Sequence, residues 1–262
     1  MAFLKLEHVS HLYFSNKTYT KALDDISLSI NRGEFISILG SSGCGKSTLL
    51  SIIAGIIKQT KGNVLLNNIP LHQSDYVLGY MLQQDYLFPW KRIIDNVLIG
   101  LKVQKKVSKK TRQKALKLLD EVGLPHLEDT FPNELSGGMR QRVALVRTLI
   151  TNPEILLLDE PFSALDYQTK LKLEDLVYRL LKQYHKTAIL VTHDIGEAIS
   201  LSDRIILMDT NPGRISTIID VPKVLREEKP FLVRRQPSYQ QLFDHIWASL
   251  NRGSETNGSK ET

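Results

Sequence analysis

EFISILGSSGCGKST, at residues 34–48, is the stretch from which the rest of the chain can be interpreted. Its first part, residues 35–39, is an apolar run that is too short for a helix and ends at a glycine, so we predict a buried strand. A glycine-rich turn follows, and a helical apolar pattern opens near Gly45 or Lys46. A strand, a glycine turn and a helix N-terminus in this order form an anion-binding arrangement. The stretch therefore predicts a phosphate-binding site.

The residue types in this turn favour a nucleoside triphosphate. Gly40, Gly43 and Gly45 allow left-handed or crowded backbone conformations, so successive N–H groups can point at one anion. Lys46 supplies a cation for the β- and γ-phosphates, and Ser47 supplies a hydroxyl for Mg²⁺; the spacing is the P-loop pattern. A plain glycine and serine turn is the alternative, and the strand before it and the helix after it disfavour that. We expect ATP and Mg²⁺ as cofactors.

Composition restricts the class of protein that carries this site. The 262 residues, 42% of them hydrophobic and 24% charged, are typical of a globular protein with one large domain or two subdomains. A single cysteine, Cys44, excludes an internal disulfide, and the N-terminus lacks the pattern of an export signal. The longest apolar stretch, residues 49–57, is too short to cross a bilayer. We expect a cytoplasmic protein that reaches a membrane only through a partner.

The net charge of +6 is concentrated in one region. Its basic residues are Lys102, Lys105, Lys106, Lys109, Lys110, Arg112, Lys114 and Lys117. Apolar residues recur at helical spacing after a Ser108 cap, so we interpret the basic residues as the solvated outer face of an amphipathic helix. A partner or lipid contact is the second interpretation. A nucleic-acid site is the third and least favoured interpretation, because this run contains no aromatic residue that could stack on bases.

Residues upstream and downstream of the P-loop add candidate ligands. Alternating segments near the N-terminus predict strands packed on one face, and between them Tyr13 is an aromatic residue that could stack on adenine or pack in the core. A later strand, VLGYML, leads into Gln83, Gln84 and Asp85, whose side chains could orient water or contact a metal, or only cap a turn. Residues 92–151 then turn helical, which predicts a helical subdomain inserted in an α/β core.

Two further stretches carry polar residues at element ends. In LSGGMRQR, Ser136 is a predicted N-cap and Gly137 and Gly138 open a helix, which makes a second anion site. In EILLLDEPFSALD, a continuous apolar run indicates a buried parallel strand, at whose carboxyl end Asp159 and Glu160 emerge. Adjacent carboxylates repel each other without a cation, so we expect Asp159 to hold Mg²⁺ and Glu160 to take a proton from water. Two acids in a plain turn are the alternative.

The last third of the chain returns to the α/β pattern. A helix of about residues 167–184 buries an apolar stripe, and the strand TAILV brings His193 to the same edge as Asp159, where we expect a γ-phosphate contact. Residues 221–237 are predicted to be a charged connection interrupted by prolines. A helix from Ser238 follows, with an apolar face that docks on this chain's own core or on a partner. The predicted face consists of Tyr239, Leu242, Phe243, Ile246, Trp247 and Leu250. Residues 251–262 are predicted to be disordered.

Together these motifs resemble those of one family, the ATP-binding subunits of ABC transporters, over residues 3–222. GSSGCGKST resembles the Walker A loop, LSGGMRQR the signature motif, ILLLDEP the Walker B strand, SALD the D-loop and His193 the switch histidine. Gln83 matches the glutamine of the Q-loop, with Gln84 as its competitor, and Tyr13 matches the adenine-stacking aromatic, with Phe14 as its competitor. The signature more often has LSGGQ, and Met139 stands where that glutamine would be.

The resemblance implies a set of site residues. The implied catalytic residues are Glu160, His193 and Gln83, and the implied metal ligands are Ser47, Gln83 and Asp159. The implied nucleotide contacts are Tyr13, Gly40, Ser41, Ser42, Gly43, Cys44, Gly45, Lys46, Ser47, Thr48, Ser136, Gly137 and Gly138. Because Cys44 lies in the loop beside Lys46, we also expect its thiol pKa to be lowered.

The resemblance also implies an architecture and partners. The implied fold is an α/β P-loop NTPase core with an N-terminal antiparallel β subdomain and an inserted helical subdomain. The ATPase domain would span residues 1–222, with its core at about 1–90 and 153–222 and its helical subdomain at about 91–152; residues 223–262 would form the linker, helix and tail. Two copies would pair head to tail around ATP and drive polytopic permease subunits, served by an extracytoplasmic solute-binding protein, at the inner face of the membrane. No nucleic-acid partner is expected.

LMDTNPGRI and QQDYLFPW look most like the importer branch for nitrate, sulfonates, taurine and thiamine precursors. Two alternatives stay open at this point. One is the ATPase of an exporter, and the other is a soluble ABC-type ATPase acting on nucleic acid or ribosomes.

Overall fold

The structure, a computed structural model, describes residues 2–15 and 18–255. These residues form ten strands, ten α-helices and two short 3-10 turns at residues 71–73 and 132–134. The strands are β1 Leu4–Phe14, β2 Tyr19–Ile30, β3 Phe35–Leu39, β4 Lys61–Leu66, β5 Ile69–Pro70, β6 Leu78–Met81, β7 Ile155–Asp159, β8 Thr187–Thr192, β9 Arg204–Asp209 and β10 Arg214–Asp220. The helices are α1 Lys46–Ile53, α2 Ile93–Val97, α3 Ile99–Val103, α4 Lys109–Glu121, α5 Gly137–Leu149, α6 Tyr167–Gln183, α7 Ile195–Leu201, α8 Lys223–Arg226, α9 Pro230–Val233 and α10 Pro237–Glu255.

The described chain divides into two compact units, and each is described by itself. Of the described residues, the first unit contains 2–15, 18–75 and 184–255, and the second contains 76–183. The first unit holds an antiparallel sheet in the order β2-β1-β4-β5 and a run of strands in the order β10-β9-β3-β8. In that run β3 is parallel to both β8 and β9, and β10 is antiparallel to β9.

The strands β3 and β8 are buried at every residue. Their sequences, FISIL and TAILV followed by Thr192, are nearly continuous apolar runs, as expected for parallel strands covered on both faces. By contrast, β1 and β2 show buried and less buried positions in partial alternation, so one face of the antiparallel sheet is covered. The predicted α/β fold with an N-terminal antiparallel sheet is confirmed.

The second unit combines one parallel strand pair with helices α2 to α6. β6 and β7 pair in parallel with Met81 opposite Leu158, and β7 is buried from Ile155 to Leu158. α5 packs against β6 and against α2, α4 and α6. The predicted Ser108 cap is confirmed at the start of α4, and the Ser108 side chain accepts a hydrogen bond from the Thr111 amide in a capping box. The predicted helical region between residues 92 and 151 therefore contains α2 to α5.

The C-terminal part of the first unit is more ordered than predicted. The expected connection at residues 221–237 contains the short helices α8 and α9, because Pro222 and Pro230 suit helix starts and because Leu225 and Val233 are buried. α10 packs Leu242 and Ile246 into a cluster with α7, which confirms docking on this chain's own core.

Two details of α10 differ from the prediction. Trp247, expected on the apolar face, is exposed. α10 extends to Glu255 and so includes residues 251–255 of the tail that was predicted to be disordered. Residues 256–262 of that tail lie outside the described residues.

Candidate functional site

The P-loop of the first unit has the predicted strand, turn and helix. β3 ends at Leu39, the loop follows, and α1 begins at Lys46 with Gly45 as its N-cap. Gly45 has φ 90°, and a Cβ on it would lie 2.7 Å from Leu23 Cδ2 and 2.8 Å from the Ala22 carbonyl oxygen. Glycine is therefore required there on both conformational and steric grounds.

Lys46 lies inside the curve of this loop. Its Nζ donates hydrogen bonds to the carbonyl oxygens of Gly40, at 2.8 Å, and Ser41, at 2.9 Å, and its side chain is buried. By contrast, Ser41, Ser42 and Gly43 in the loop and Ser47 at the start of α1 are exposed. The loop thus holds a cation beside a helix N-terminus, which is suited to an approaching anion.

Cys44 does not behave as expected. Its side chain is fully buried, and burial raises the pKa of the Cys44 thiol, although Lys46 opposes the shift. Sγ lies 3.6 Å from Lys46 Nζ, and a Cβ on Gly40 would lie 2.6 Å from Sγ. The predicted lowering of the thiol pKa is therefore wrong, because removal of the thiolate from water outweighs the nearby ammonium.

Tyr13 lies next to the first turn of α1. Its hydroxyl is 3.3 Å from Thr48 Oγ1, and its ring meets His11 edge to face with 4.6 Å between the centroids. Tyr13 is 44% exposed and Phe14 is 75% exposed. The side chain of Tyr13 is thus attached to the helix that carries the P-loop and still presents part of its ring to solvent.

His193 is brought to the P-loop by strand register. β8 pairs with β3 so that Thr192 lies opposite Leu39. His193 and Gly40 each follow directly, so both lie at the carboxyl edge of these parallel strands, where ligands of α/β sheets bind. His193 is exposed, and the next residue, Asp194, caps α7 by accepting a hydrogen bond from the Glu197 amide at 3.0 Å.

In the second unit, Asp159 and Glu160 stand at the carboxyl end of β7. Tyr80 from β6 donates a hydrogen bond from its hydroxyl to Asp159 Oδ2 at 3.2 Å. Glu160 has φ 47°, a left-handed backbone conformation that is uncommon for a residue with a Cβ. Such conformations cluster at functional sites, where the surrounding structure holds them in place.

Gln83 meets Glu160 directly. Its Nε2 lies 3.4 Å from Glu160 Oε2 and 3.2 Å from Ser163 Oγ, and the Ser163 hydroxyl donates to the Glu160 carbonyl oxygen at 3.0 Å. β6 and β7 are parallel, so the segments that follow them leave the strand pair at the same edge. This explains why Gln83, which follows β6, contacts Glu160, which follows β7. Gln84 is also exposed but has no such contact among the described hydrogen bonds.

The signature segment forms the predicted helix start. Ser136 caps α5, and its Oγ accepts a hydrogen bond from the Met139 amide at 3.3 Å. A Cβ on Gly138 would lie 2.5 Å from Thr169 Cγ2 of α6, so the close approach of α6 requires glycine there. Ser136 and Gly137 are exposed, and their end of a 13-residue helix can receive an anion.

Three side chains of α5 hold the loop that contains Gln83, and sequence reasoning missed them. Gln141 Nε2 donates to the Gln83 carbonyl oxygen at 2.9 Å. Arg140 Nε donates to Asp85 Oδ2 at 3.0 Å. Arg147 donates to the carbonyl oxygens of Tyr86, at 2.9 Å, and Asp85, at 2.5 Å. In the sequence, only the spacing of these three residues along the predicted helix could have indicated this role. The acceptors of Gln141 and Arg147 are main-chain oxygens, which no residue type marks.

The same loop borders an open depression of the second unit with a volume of about 360 Å³. Its lining includes Gln83, Gln84, Tyr86, Gly137 and Arg140. Two aromatic residues of the loop region are strongly exposed, Tyr86 at 59% and Trp90 at 70%. Large apolar side chains that are exposed together on a surface are typical of an interaction site.

Each of the two units carries side-chain oxygens of the kind that bind hard cations. The Ser47 hydroxyl, the Asp159 carboxylate and the Gln83 amide are oxygen ligands of the type that Mg²⁺ prefers. In residues 2–15 and 18–255, no three His, Cys, Asp or Glu side chains converge into a metal site of their own.

The predicted site residues thus fall into two groups. The P-loop, Tyr13 and His193 meet in the first unit, and Gln83, Asp159, Glu160 and Ser136 to Gly138 belong to the second. Among the described helices, none is both long enough and apolar enough to span a bilayer.

Comparisons with known proteins identify the family of this chain. The family model for ABC transporters matches residues 23–163. The uncharacterized ABC transporter ATP-binding protein YtlC of Bacillus subtilis is 57% identical over 251 residues, which cover 96% of each chain. The taurine import ATP-binding protein TauB of Rhizobium johnstonii is 38% identical over 252 residues, which cover 95% of this chain and 96% of TauB. The aliphatic sulfonates import ATP-binding protein SsuB 3 of Pseudomonas savastanoi pv. phaseolicola is 44% identical over 203 residues, or 78% of this chain and 73% of that one.

A solved structure shows the same fold. The dimeric post-hydrolysis structure of the ATP-binding cassette MJ0796, bound to ADP and Pi, superposes with a TM-score of 0.74 at 35% identity. The match covers 84% of this chain and 99% of that cassette. The chain therefore belongs to the ATP-binding proteins of ABC transporters and is an ATPase.

Proposed function

We propose that this ATPase powers the import of a small solute by an ABC transporter and that the solute is a small anion such as a sulfonate, taurine or nitrate, or a thiamine precursor. One observation carries the proposal. The loop after β6 joins Gln83, which contacts Glu160, to the exposed aromatic residues Tyr86 and Trp90. A movement of the Glu160 carboxylate can therefore be transmitted through this loop to Tyr86 and Trp90, whose exposed side chains suit a protein partner. The sulfonate and taurine import relatives support the direction and the solute class.

The proposed chemistry assigns a role to each group. The Gly40 to Thr48 backbone and Lys46 grip the phosphates, and Tyr13, attached to α1 at Thr48, stacks on the adenine. Ser47, Asp159 and Gln83 would hold Mg²⁺, and that ion would supply neutralisation of charge on the β- and γ-phosphates. Glu160 accepts a proton from the attacking water, and His193 contacts the γ-phosphate.

The protein would act as a homodimer. Ser136, Gly137 and Gly138 of one copy would complete the phosphate site of the other, because the chain carries two separate anion sites and the exposed N-terminus of α5 can receive the phosphates of a partner's nucleotide. Polytopic permease subunits would dock at Tyr86 and Trp90, which would place the protein on the inner face of the membrane. An extracytoplasmic solute-binding protein would act through those subunits.

Co-purification from detergent extracts tests this function. The tagged chain, expressed with the permease encoded beside it, should recover that permease and show solute-stimulated ATP hydrolysis after reconstitution. Tyr86→Ala with Trp90→Ala should lose the permease, since both are large aromatic side chains that are strongly exposed beside the loop.

A matched control removes two exposed aromatic residues of the first unit, with Tyr19→Ala and Trp247→Ala. This variant should retain the permease. Recovery of nucleic acid or ribosomes instead of a permease, after nuclease control, would reject the transport function. ATP-driven movement of solute outward in vesicles would reject import.

A further inference from the structure

The ATPase site does not use the basic region between α3 and the end of α4. Eight of the chain's 34 lysines and arginines lie in residues 102–117, and none of its 28 acidic residues does. All eight basic side chains are exposed. We call them the basic surface: Lys102, Lys105, Lys106, Lys109, Lys110, Arg112, Lys114 and Lys117.

Most of this charge is not neutralised within the described chain. Lys102 pairs with Asp95 at 2.5 Å, and Lys117 lies 3.9 Å from Glu121. The six others have no salt bridge within residues 2–15 and 18–255. An ordinary solvated helix face carries both signs in alternation, so a one-sign surface of this density points to an anionic partner.

The backbone holds the surface in a fixed shape. At the end of α3 the Lys105 amide bonds the Lys102 carbonyl and the Lys106 amide bonds the Leu101 carbonyl, with Lys105 at φ 56°. These are the paired bonds of a Schellman motif, which ends a helix in a defined bend. Three residues later the Ser108 capping box starts α4. Little conformational entropy would therefore be lost when a partner orders this bend.

The bend presents apolar side chains among the charges. Val103 is 79% exposed and Val107 is 44% exposed, and they lie between Lys102 and Lys109. Residues 102–117 contain no aromatic side chain that could stack on bases. Aliphatic side chains within a lysine cluster suit the boundary between lipid headgroups and acyl chains.

We infer that the basic surface binds the anionic lipid headgroups of the membrane next to which this ATPase works. The inference rests on the proposed function only in placing the chain beside a membrane. Lysines close to an anionic bilayer attract it within a Debye length, which is about 10 Å at 0.1 M salt. Val103 and Val107 would insert among the headgroups.

Vesicle sedimentation of the full chain tests this inference. We expect binding to vesicles of phosphatidylcholine mixed with phosphatidylglycerol, little binding to phosphatidylcholine alone, and loss of binding as NaCl rises. The test variant replaces Lys105, Lys106, Lys109 and Lys110 with glutamine. Each lost charge should weaken binding by about fivefold, so together they should weaken it by on the order of a hundredfold or more.

The control variant replaces four exposed lysines of the first unit, Lys58, Lys61, Lys223 and Lys229, with glutamine. It has the same net charge as the test variant and should bind anionic vesicles like the parent. Equal basal ATP hydrolysis by both variants would show that both are folded. No permease is present, so a failure here would not affect the proposed transport function.

Three outcomes would overturn the inference. The first is an absence of binding to the anionic vesicles. The second is equal weakening in the test and control variants, which would assign the effect to net charge. The third is tighter binding to a short DNA duplex than to the vesicles at the same salt, which would assign the surface to nucleic acid.

Discussion

At the scale of single residues, the P-loop combines an accessible backbone with a protected thiol. Ser41, Ser42 and Gly43 are exposed, whereas Cys44 points into the protein below Gly40. A thiol in that position is out of water, and the neutral form is favoured even though Lys46 is close. Cys44 therefore acts in packing and is not a nucleophile.

The raised pKa of Cys44 has two measurable consequences. Labelling by N-ethylmaleimide at neutral pH should be slower than for a free thiol by about tenfold or more, because it requires local opening. Folding stability should fall above the ordinary thiol pKa of 9.0, since the unfolded thiol ionises there while the folded one stays protonated. The contribution of the Cys44 thiol to the free energy of unfolding is fully present below pH 9.0. It is lost as the pH rises through the higher pKa that the thiol has in the folded state.

Urea unfolding at several pH values checks the second consequence. The Cys44→Ala variant provides the control, because it has no thiol and should lack this part of the alkaline fall. Fast labelling of the native protein that Mg-ATP blocks would contradict the buried position and would restore the reactive-thiol interpretation.

At the scale of elements, α5 connects the signature segment to the loop of Gln83. Its N-terminus carries Ser136, and its side chains at Gln141 and Arg147 bond main-chain carbonyl oxygens of residues 83, 85 and 86. Burial lowers the pKa of Arg147, and Asp85 opposes the shift. A displacement of α5 would therefore move the main chain on which Gln83 is mounted.

We predict that Arg147→Met lowers kcat for ATP hydrolysis more than it changes KM. The substitution leaves two carbonyl oxygens without their donor, so stability should fall by about 1–3 kcal/mol and the Gln83 loop should loosen. The P-loop is untouched, so ATP binding should persist. Steady-state kinetics and urea unfolding measure the two effects.

The control is Arg142→Met on the same helix. Arg142 donates to the carbonyl oxygens of Val122, at 3.0 Å, and of Gly138, four residues earlier on the same helix, at 3.4 Å. None of its described hydrogen bonds goes to the loop of residues 83–86. It should lose stability without a specific loss of kcat. An equal fall in kcat for both variants would mean that α5 serves only packing, and partial rescue by Arg147→Lys would support the positioning role.

At the scale of the whole molecule, the candidate site residues are divided between two units, and the proposed dimer adds a second division between copies. In the proposed dimer, ATP is the ligand that joins the two copies. Blocking hydrolysis without blocking binding should make that joined state persist.

We predict that Glu160→Gln shifts from monomer to dimer on addition of Mg-ATP and that its turnover falls by roughly 10² or more, since the general base is lost. The side chain keeps its shape, and repulsion toward the γ-phosphate is removed. Size-exclusion chromatography with light scattering, together with an ATPase assay, measures both effects.

Two variants act as controls for this prediction. Lys46→Ala should stay monomeric, because the shared nucleotide is no longer gripped, and Asp159→Asn should weaken the handling of Mg-ATP itself. Parent-rate hydrolysis by Glu160→Gln would contradict its role as the base. A Glu160→Gln monomer at saturating ATP would contradict the shared site.

The sequence alone determined the local structural features of this protein. Apolar periodicity and residue types at fixed spacing predicted the α/β class, the P-loop, the β7 strand with its two carboxylates, and the caps at Ser108 and Ser136. These features depend on neighbours within a few residues, and the sequence records such neighbours directly.

Only the tertiary structure decided which distant groups meet and which side chains are in water. The contacts of Gln83 with Glu160 and of α5 with the Gln83 loop join residues far apart in the chain, and several use main-chain acceptors that no residue type reveals. The pKa of Cys44 was wrongly predicted for the same reason. The charge of Lys46 is visible in the sequence, but burial of the thiol is a property of the packed fold, and burial is the stronger effect.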